Sequence, residues 1–316
     1  VRSDGSWPID TNLATWVTTL SVRALGDRLP SHEREAIRDW LLGQQYKTVH
    51  PYTGAAPGGW AWTDLSGGVP DADDTAGALL ALERLGPKDG RVAVAALSGV
   101  EWLLNLQNSD GGLPAFCRGW GKLPFDRSSP DITAHALLAW FRWQPAMNAP
   151  MREQVKAAIA RALAFLERTQ RSDGAWVPLW FGNQFAGNEE NAVYGTSRVL
   201  LALNQVQPAS FMANRAANWL LAAQNQDGGW GGDQGLPPTI EETAVAVAAL
   251  AEAAGNRIRE SVLRESALRG TDWLVKASSG GEETSPSPIG LYFASLWYYE
   301  RLYPLIFAAD ALRRSQ

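Results

Sequence analysis

An internal repeat constrains the fold of this 316-residue sequence more than any other feature. Five segments read Trp-Leu-Leu-x-x-Gln or a close variant, and they start between 54 and 63 residues apart. These segments begin at Trp40, Trp102, Phe165, Trp219 and Trp273. The first four lead into glycine-rich loops, three of which end at a Trp. We interpret each repeat as two helices plus a loop, in which Gln satisfies backbone groups and Trp covers the junction.

Two kinds of helix alternate along the chain. The segments after the loops are small or apolar on all sides, which is typical of buried helices, whereas the segments before the loops are amphipathic. We predict inner helices near 11–25, 71–85, 130–143, 190–204, 239–254 and 288–300. We predict outer helices near 31–45, 91–107, 151–170, 209–224, 258–277 and 303–314. The alternation predicts an all-α fold, an (α/α)6 barrel that forms a single domain over residues 1–316.

The N-terminal residues resemble the end of a repeat loop. Asp4-Gly5-Ser6-Trp7 fits the loop pattern, but no outer helix precedes it in this sequence. The helix predicted at 303–314 is one candidate to close the ring. We expect instead that the native chain continues upstream.

Composition excludes several classes of protein. The net charge of −5 and the lack of a basic tract argue against a nucleic-acid partner. A single cysteine, Cys117, allows no internal disulfide and fits a reducing compartment. No apolar run approaches the roughly 20 residues of a membrane-spanning helix. No cluster of His and Cys suggests a zinc site, so we expect neither a metal nor another cofactor.

An acidic motif opens one predicted inner helix. Asp71, Asp73 and Asp74 lie within four positions, between Pro70 and Thr75. Because neighbouring carboxylates raise the cost of each other's charge, one of them can keep its proton near neutral pH, as a general acid requires. The alternative is purely structural, since Asp is a favoured helix N-cap and acidic side chains suit the first turn.

The inner helices align on a shared threonine, which predicts a polar ring at one end of the barrel. The residues two positions before these threonines are Asp73, Asp131, Tyr194 and Glu241. His135 follows Asp131 by about one turn and therefore shares its helix face. A ring of ionisable groups at the mouth of an apolar bundle is a candidate active site. The alternative for His135 is a core histidine whose partner is Asp131.

Taken together, these motifs resemble a known family. Pro-Asp71-Ala-Asp73-Asp74-Thr is similar to the DxDD motif of class II terpene cyclases, and the loops resemble the QW repeats of squalene–hopene and oxidosqualene cyclases. The segments beginning at Asp131, Asn191 and Tyr292 also match. The resemblance spans the chain and corresponds to the C-terminal half of bacterial squalene–hopene cyclases, the barrel called the β domain. It implies an upstream γ-like domain, with the substrate cavity between the two barrels.

The resemblance also implies roles for individual residues. Asp73 resembles the proton donor, Asp71 and Asp74 its flanking partners, and His135 the histidine that hydrogen-bonds the donor and, when cationic, polarises it. Asp131 and Tyr194 match the same polar network. The expected substrate cavity residues are Trp62, Phe116, Tyr292, Tyr299 and, from the ring, Glu241. Ile9 and Leu296 depart from aromatic positions of the family.

The implied reaction is a cyclisation started by a proton. Asp73 would protonate a linear polyprenyl substrate such as squalene, aromatic faces would stabilise the cations, and water would be excluded. The apolar isoprenoid implies peripheral contact with a membrane, on its inner, cytoplasmic face. The other expected partner is an upstream γ-like domain or a second copy of the chain.

Several alternatives stay open. The chain is also compatible with a single-barrel cyclase for a shorter prenyl substrate, whose diphosphate Arg118, Lys122 or Arg127 would bind, although scattered basic residues usually face solvent. A catalytic barrel that is inactive without its partner domain is another possibility. An (α/α)6 glycosidase would need two carboxylates across a cleft, and a helical scaffold would need none. A protein prenyltransferase subunit would need zinc ligands, for which Cys117 has no convincing partners.

Overall fold

The computed structural model of the protein describes residues 12–119, 124–255, 260–281, 284–291 and 296–316. These residues are mostly helical, as predicted, with a few very short strands. The chain divides into two compact units. One unit is Ala14–Gln170, and the other is Arg171–Gln316 with Asn12 and Leu13. The single-barrel organisation over residues 1–316 stays a prediction.

The described residues of the unit Ala14–Gln170 form three inner and three outer helices. They are α1 (Ala14–Leu25), α2 (Ser31–Gly43), α3 (Ala72–Leu85), α4 (Gly90–Leu106), α5 (Pro130–Trp143) and α6 (Ala149–Thr169). The strands β1 (Leu113–Pro114) and β2 (Ser128–Ser129) pair antiparallel. Helix α3 packs between α1 and α5, and α3 and α5 are buried over most of their surface. The amphipathic helices α2, α4 and α6 bury one face each, which confirms the predicted alternation in this unit.

The described helices of the second unit pack around α9 (Ile240–Ala254). Its helices are α7 (Ala192–Val206), α8 (Phe211–Ala223), α9 (Ile240–Ala254), α10 (Glu260–Ala277) and α11 (Tyr303–Arg314). Helix α9 packs against α7, α8, α10 and α11. Nearly all of α9 is buried, because its small Ala and Val side chains leave no polar face after the first turn.

The inner helix predicted at 288–300 is wrong for the described residues of that segment. Strand β3 (Ile289–Leu291) pairs antiparallel with β4 (Leu296–Tyr298), and residues 292–295 lie outside the described residues. The segment combines Gly290 with several aromatic side chains and follows Pro286 and Pro288. Proline and glycine disfavour a helix, and aromatic residues favour strands. A short apolar run of this kind does not by its period distinguish a strand from a buried helix.

The repeat glutamines join each loop to the next outer helix. Gln107 Nε2 donates to the carbonyl oxygens of Gly111 (2.8 Å) and Ala158 (2.9 Å). Gln224 repeats the arrangement with the carbonyl oxygens of Gly228 (2.8 Å) and Ser266 (2.9 Å). Each glutamine thus satisfies two backbone carbonyls at once, as the sequence predicted.

The loop glycines allow this close approach. Gly228 has a φ of +101°, and a Cβ atom there would lie 2.8 Å from the carbonyl oxygen of Arg269. Gly111 has a φ of +91° and the same relation to the carbonyl oxygen of Arg161, at 2.4 Å. Only glycine fits both the backbone conformation and the space.

The threonines used to align the inner helices have a structural role. Each hydroxyl accepts a hydrogen bond from a backbone N–H of the preceding loop, at 2.8 to 3.0 Å. The four pairs are Thr75 with Trp60, Thr133 with Leu113, Thr196 with Trp176, and Thr243 with Trp230. Each hydroxyl also donates to a nearby backbone carbonyl. One side chain therefore ties the loop to the first turn of the buried helix.

We predict that Thr243→Val destabilises the fold by about 1–3 kcal/mol, because valine keeps the shape but leaves the buried Trp230 N–H without its acceptor. Urea unfolding followed by circular dichroism measures the change. The control is Thr271→Val, since the partly exposed Thr271 bonds the carbonyl of Ala267 within its own helix. Its expected effect lies within about 0.5 kcal/mol. Equal losses in the two variants would contradict the proposed role of Thr243.

Candidate active site

Asp71 caps helix α3 and is held between two loops. Its side chain accepts a hydrogen bond from the backbone N–H of Asp74 at 2.7 Å. Its backbone N–H donates to the carbonyl of Trp60 at 2.9 Å, and its backbone also bridges to Phe116. The capping role considered in the sequence analysis therefore belongs to Asp71, which leaves Asp73 to a different partner.

Three helices bring Asp73, His135 and Arg23 together. His135 Nδ1 lies 2.5 Å from Asp73 Oδ1, and His135 Nε2 lies 2.9 Å from Arg23 Nη1. The ring of Trp16 meets the imidazole edge-on, with centroids 6.2 Å apart. The His135 side chain is 3% exposed and that of Asp73 is 17% exposed. The predicted contact of Asp73 with His135 is thus present, whereas the contact with Arg23 was missed.

The two flanking carboxyls are buried and hold their protons strongly. The pKa of Asp71 and the pKa of Asp74 both lie well above the ordinary value, and burial is the main cause for each. For Asp74, the charge of Asp71 raises the pKa further, whereas hydrogen bonds from Asp74 partly lower the pKa of Asp71. Loss of hydration thus raises these two pKa values more than repulsion between carboxylates does. The cluster therefore retains protons in a way that exposed aspartates do not.

Aromatic side chains form a cluster beside the acidic motif. The rings of Trp62 and Phe116 meet edge to face at 5.9 Å, and Phe125 meets Phe116 at 5.2 Å. All three side chains are partly buried. The carbonyl of Trp62 accepts hydrogen bonds from two backbone N–H groups at the start of α1. The sequence predicted Trp62 and Phe116, but Phe125 gave no signal because it is an isolated aromatic residue in a loop.

The other predicted site residues differ in burial and in the groups that they contact. Asp131 is buried and accepts a hydrogen bond from the hydroxyl of Ser129. In the second unit, Tyr194 is buried against Phe181, with ring centroids 4.4 Å apart, whereas Tyr299 is 47% exposed. Tyr292, Ile9 and Lys122 lie outside the described residues. The proposed polar ring and the cavity roles of these residues stay predictions.

A second carboxyl pair occupies the start of α9. Glu241 Oε1 accepts the backbone N–H of Ser287 at 2.8 Å, and its buried Oε2 has no hydrogen-bond partner in the described part of the chain. Burial, followed by the charge of Glu242, raises the pKa of Glu241 to about 7.

Glu242 is better satisfied than its neighbour. It accepts hydrogen bonds from Asn183 (3.1 Å), Asn191 (2.8 Å) and the hydroxyl of Thr239. Burial raises the pKa of Glu242, and the two asparagines partly offset this effect. The sequence analysis missed Glu242, although Glu241-Glu242-Thr243 aligns with Asp73-Asp74-Thr75.

Two of the candidate diphosphate ligands, Arg118 and Arg127, line one open pocket beside the C-terminal end of α4. Arg118 donates to the carbonyls of Leu106 and Gln107 at 2.7 and 2.8 Å, where it complements the C-terminal end of α4. Arg127 is exposed. Arg118 therefore has a structural role at the end of a helix.

The described residues contain neither a metal cluster nor a membrane-spanning helix. No group of three or more His, Cys, Asp and Glu side chains in these residues could hold a metal ion. Likewise, none of the helices in this part of the chain is long and apolar enough to cross a membrane.

The helical fold of the described residues is that of the class II terpene cyclases. The chain belongs to the family described as the squalene–hopene cyclase C-terminal domain, whose model matches residues 13–306. The resemblance stated from the sequence is thereby confirmed.

Individual relatives agree with this assignment. The chain is 30% identical over 298 residues to the squalene–hopene cyclase of Bradyrhizobium diazoefficiens, covering 82% of this chain and 42% of that protein. It is 35% identical over 229 residues to the drimenyl diphosphate synthase of Streptomyces showdoensis, covering 70% of this chain and 37% of that protein. The chain thus spans less than half the length of each of these curated relatives.

A solved structure supports the fold. The ent-copalyl diphosphate synthase from Streptomyces platensis aligns with a TM-score of 0.69 and 21% identity, over 96% of this chain and 50% of that one. This likeness concerns the fold alone, and it confirms the (α/α) barrel class expected from the sequence.

We predict that Glu241→Gln makes stability less dependent on pH. The pKa of Glu241 rises from 4.5 to about 7 on folding, so its stabilising contribution is complete below pH 4.5 and is lost as pH rises through 7. Between pH 5 and 8 the variant should gain up to about 3 kcal/mol over the wild type, at about 1.4 kcal/mol per pKa unit. Urea unfolding at several pH values measures this difference.

The control for this prediction is Glu265→Gln, which changes an exposed glutamate in α10 of the same unit. Its unfolding free energy should follow the pH profile of the wild type. Parallel profiles for Glu241→Gln and the wild type would show that Glu241 ionises alike in the folded and unfolded chains.

Proposed function

We propose that this chain is the catalytic part of a class II terpene cyclase that cyclises a linear polyprenyl substrate such as squalene, with Asp73 as the general acid. The observation that carries the proposal is the contact of Asp73 with His135 beside two buried carboxyls of raised pKa. Membership of the cyclase family supports the reaction class.

The reaction begins with transfer of one proton. An ordinary Asp, with a pKa of about 3.9, is ionised at neutral pH and has no proton to give. The two carboxyls that flank Asp73 are buried and have raised pKa values, so the acidic motif retains protons that exposed aspartates lose. When the Asp73 O–H donates to a terminal alkene, a C–H bond forms and a tertiary carbocation is left. The next alkene attacks this cation, and ring closure proceeds along the chain.

The carbocations need an environment that stabilises them without reacting. Trp62, Phe116 and Phe125 place aromatic rings beside the acidic motif. A desolvated aromatic face stabilises a cation by about 2 kcal/mol. The reaction ends when the last cation loses a proton or takes up water, so the net change is an isomerisation or a hydration. These rings are therefore suited to the wall of the reaction chamber.

A second candidate is cyclisation of a shorter prenyl diphosphate. The 35% identity to a drimenyl diphosphate synthase favours it. The contacts of Arg118 argue against this candidate, since its side chain donates hydrogen bonds to two backbone carbonyls at the end of α4. Both candidates use the same acid and differ in the polar end of the substrate, so substrate choice separates them.

The substrate class also supports a proposal about location. Squalene is insoluble in water and resides in the bilayer, so an enzyme that takes it up has to contact a membrane surface. We place the protein as peripheral on the cytoplasmic face of the membrane.

We predict that Asp73→Asn abolishes cyclisation, because an amide cannot donate the acid proton. Turnover of squalene, measured by gas chromatography of extracted products, should fall by at least about 10²-fold. Circular dichroism should show an unchanged helical signal, since Asp71 and not Asp73 caps α3. The matched control is Asp27→Asn, an exposed aspartate after α1, with full turnover expected. Undiminished turnover in Asp73→Asn would refute the proposed mechanism.

We also predict that the purified protein converts squalene but not farnesyl diphosphate. The reason is that Arg118 Nη2 donates to two backbone carbonyls, which leaves fewer of its N–H donors for a diphosphate. Parallel incubations with the two substrates, analysed by gas chromatography after phosphatase treatment, measure the choice. Conversion of the diphosphate alone would replace the first candidate by the second. Conversion of neither would support a catalytic barrel that needs a partner domain.

A further inference from the structure

We propose that Arg23 is a positioning residue that fixes His135 as the neutral tautomer with its proton on Nδ1, so that the imidazole donates a hydrogen bond to Asp73. The catalytic consequence rests on the proposed function, whereas the tautomer itself can be tested without any substrate. Arg23 lies on α1, outside the acidic motif and outside the residues that the resemblance marked.

The tautomer follows from the inventory of donors and acceptors. A guanidinium has only N–H donors and no acceptor. Arg23 Nη1 lies 2.9 Å from His135 Nε2, so Nε2 must accept this hydrogen bond and carries no proton. A neutral imidazole has one N–H group, which therefore lies on Nδ1, 2.5 Å from Asp73 Oδ1. The ring donates and the carboxyl oxygen accepts.

This assignment differs from the cationic His135 considered in the sequence analysis. An imidazolium carries a proton on both nitrogens, so its Nε2–H would point at an N–H of Arg23. Arg23 therefore supplies the positive charge, and His135 transmits its effect as a neutral donor. The charge of arginine does not depend on pH in the physiological range.

The consequence for Asp73 concerns both forms of its carboxyl. With Oδ1 accepting from His135, the acid proton resides on Oδ2, which is the oxygen left to meet the substrate. After transfer, the carboxylate keeps the hydrogen bond from Nδ1–H and interacts with the charge of Arg23 behind the ring. Both effects stabilise the conjugate base and so strengthen the acid. If the imidazole proton lay on Nε2 instead, the Nδ1 lone pair would face Asp73. Nδ1 would then accept a hydrogen bond from the acid proton of Asp73.

The protein contains an internal comparison for this assignment. His50 Nδ1 accepts the backbone N–H of Thr53 at 3.2 Å, and its Nε2 lies 3.0 Å from the carbonyl oxygen of Gly68. His50 therefore has its proton on Nε2, the opposite tautomer. The remaining histidine, His32, has a side chain that is 78% exposed. The three histidines of the chain should therefore give three distinct patterns of ring ¹H–¹⁵N correlations in NMR spectra.

The tautomers can be read by NMR. Protein labelled with ¹⁵N in the histidine rings gives long-range ¹H–¹⁵N correlations that distinguish Nδ1–H, Nε2–H and the imidazolium. Variants His32→Gln and His50→Gln assign the signals. We expect Nδ1–H for His135 and Nε2–H for His50. An Nε2–H or imidazolium pattern for His135 in the wild type would overturn the proposal.

Variants of Arg23 test its part in the arrangement. Arg23→Met keeps an unbranched apolar stem without donors, and we expect it to remove the preference of His135 for Nδ1–H while His50 is unchanged. Arg23→Lys supplies a donor again and should restore the pattern at least in part. The His50 pattern also reports whether the variant is folded. An unchanged His135 pattern in Arg23→Met would overturn the role assigned to Arg23.

The catalytic consequence has its own test. With squalene, kcat should fall by about tenfold or more in Arg23→Met with KM little changed, because the group that fixes a catalytic histidine is lost. Arg23→Lys should recover part of this loss. If the wild type shows the expected tautomers but no turnover, the proposed function fails and the tautomer assignment stands. If the wild type is active and Arg23→Met keeps its kcat, the catalytic role of Arg23 is overturned.

Discussion

In four repeats, a hydrogen bond from a loop N–H to a threonine hydroxyl ties the first turn of the inner helix to the loop before it. Buried backbone donors need partners, and in four repeats one threonine supplies the acceptor from the first turn of the next inner helix. The position of the first turn is therefore set by the loop before it. Asp73 and Asp131 each lie two residues before such a threonine. The threonine hydrogen bonds, which take no part in the chemistry, therefore set the positions of these two ionisable groups.

Sequence reasoning captured the repeated parts of the molecule. The glutamines, glycines and alternating helices recur, and recurrence identified them. The hairpin of β3 and β4 was missed, since a run of apolar and aromatic residues has no period that separates strand from helix. Arg23 was missed because a single arginine in an apolar helix is normally interpreted as marking the solvent-facing side of that helix. Its contact with His135 joins residues 112 positions apart, and no local pattern encodes such a contact.

Two acid pairs occupy equivalent positions at the starts of α3 and α9 but have different partners. Glu241 and Glu242 occupy the places that Asp73 and Asp74 occupy in α3, and burial raises the pKa of both glutamates. Two asparagines satisfy Glu242, which marks it as a structural group. Asp73 differs because its partner is a histidine. In the proposed mechanism the chemistry thus depends on the hydrogen-bond partner of the carboxyl, whereas the repeat determines only the position of the carboxyl.

In the proposed mechanism, the partial exposure of Asp73 bears on how the acid regains its proton after each turnover. An acid that gives its proton to a hydrocarbon ends as a carboxylate and must regain a proton before it reacts again. A group sealed among apolar side chains would wait for the fold to open, whereas Asp73, with 17% of its side chain accessible, can be reprotonated from water. In the proposed mechanism, the carboxyl of Asp73 therefore contacts His135 and also keeps an edge that water can reach.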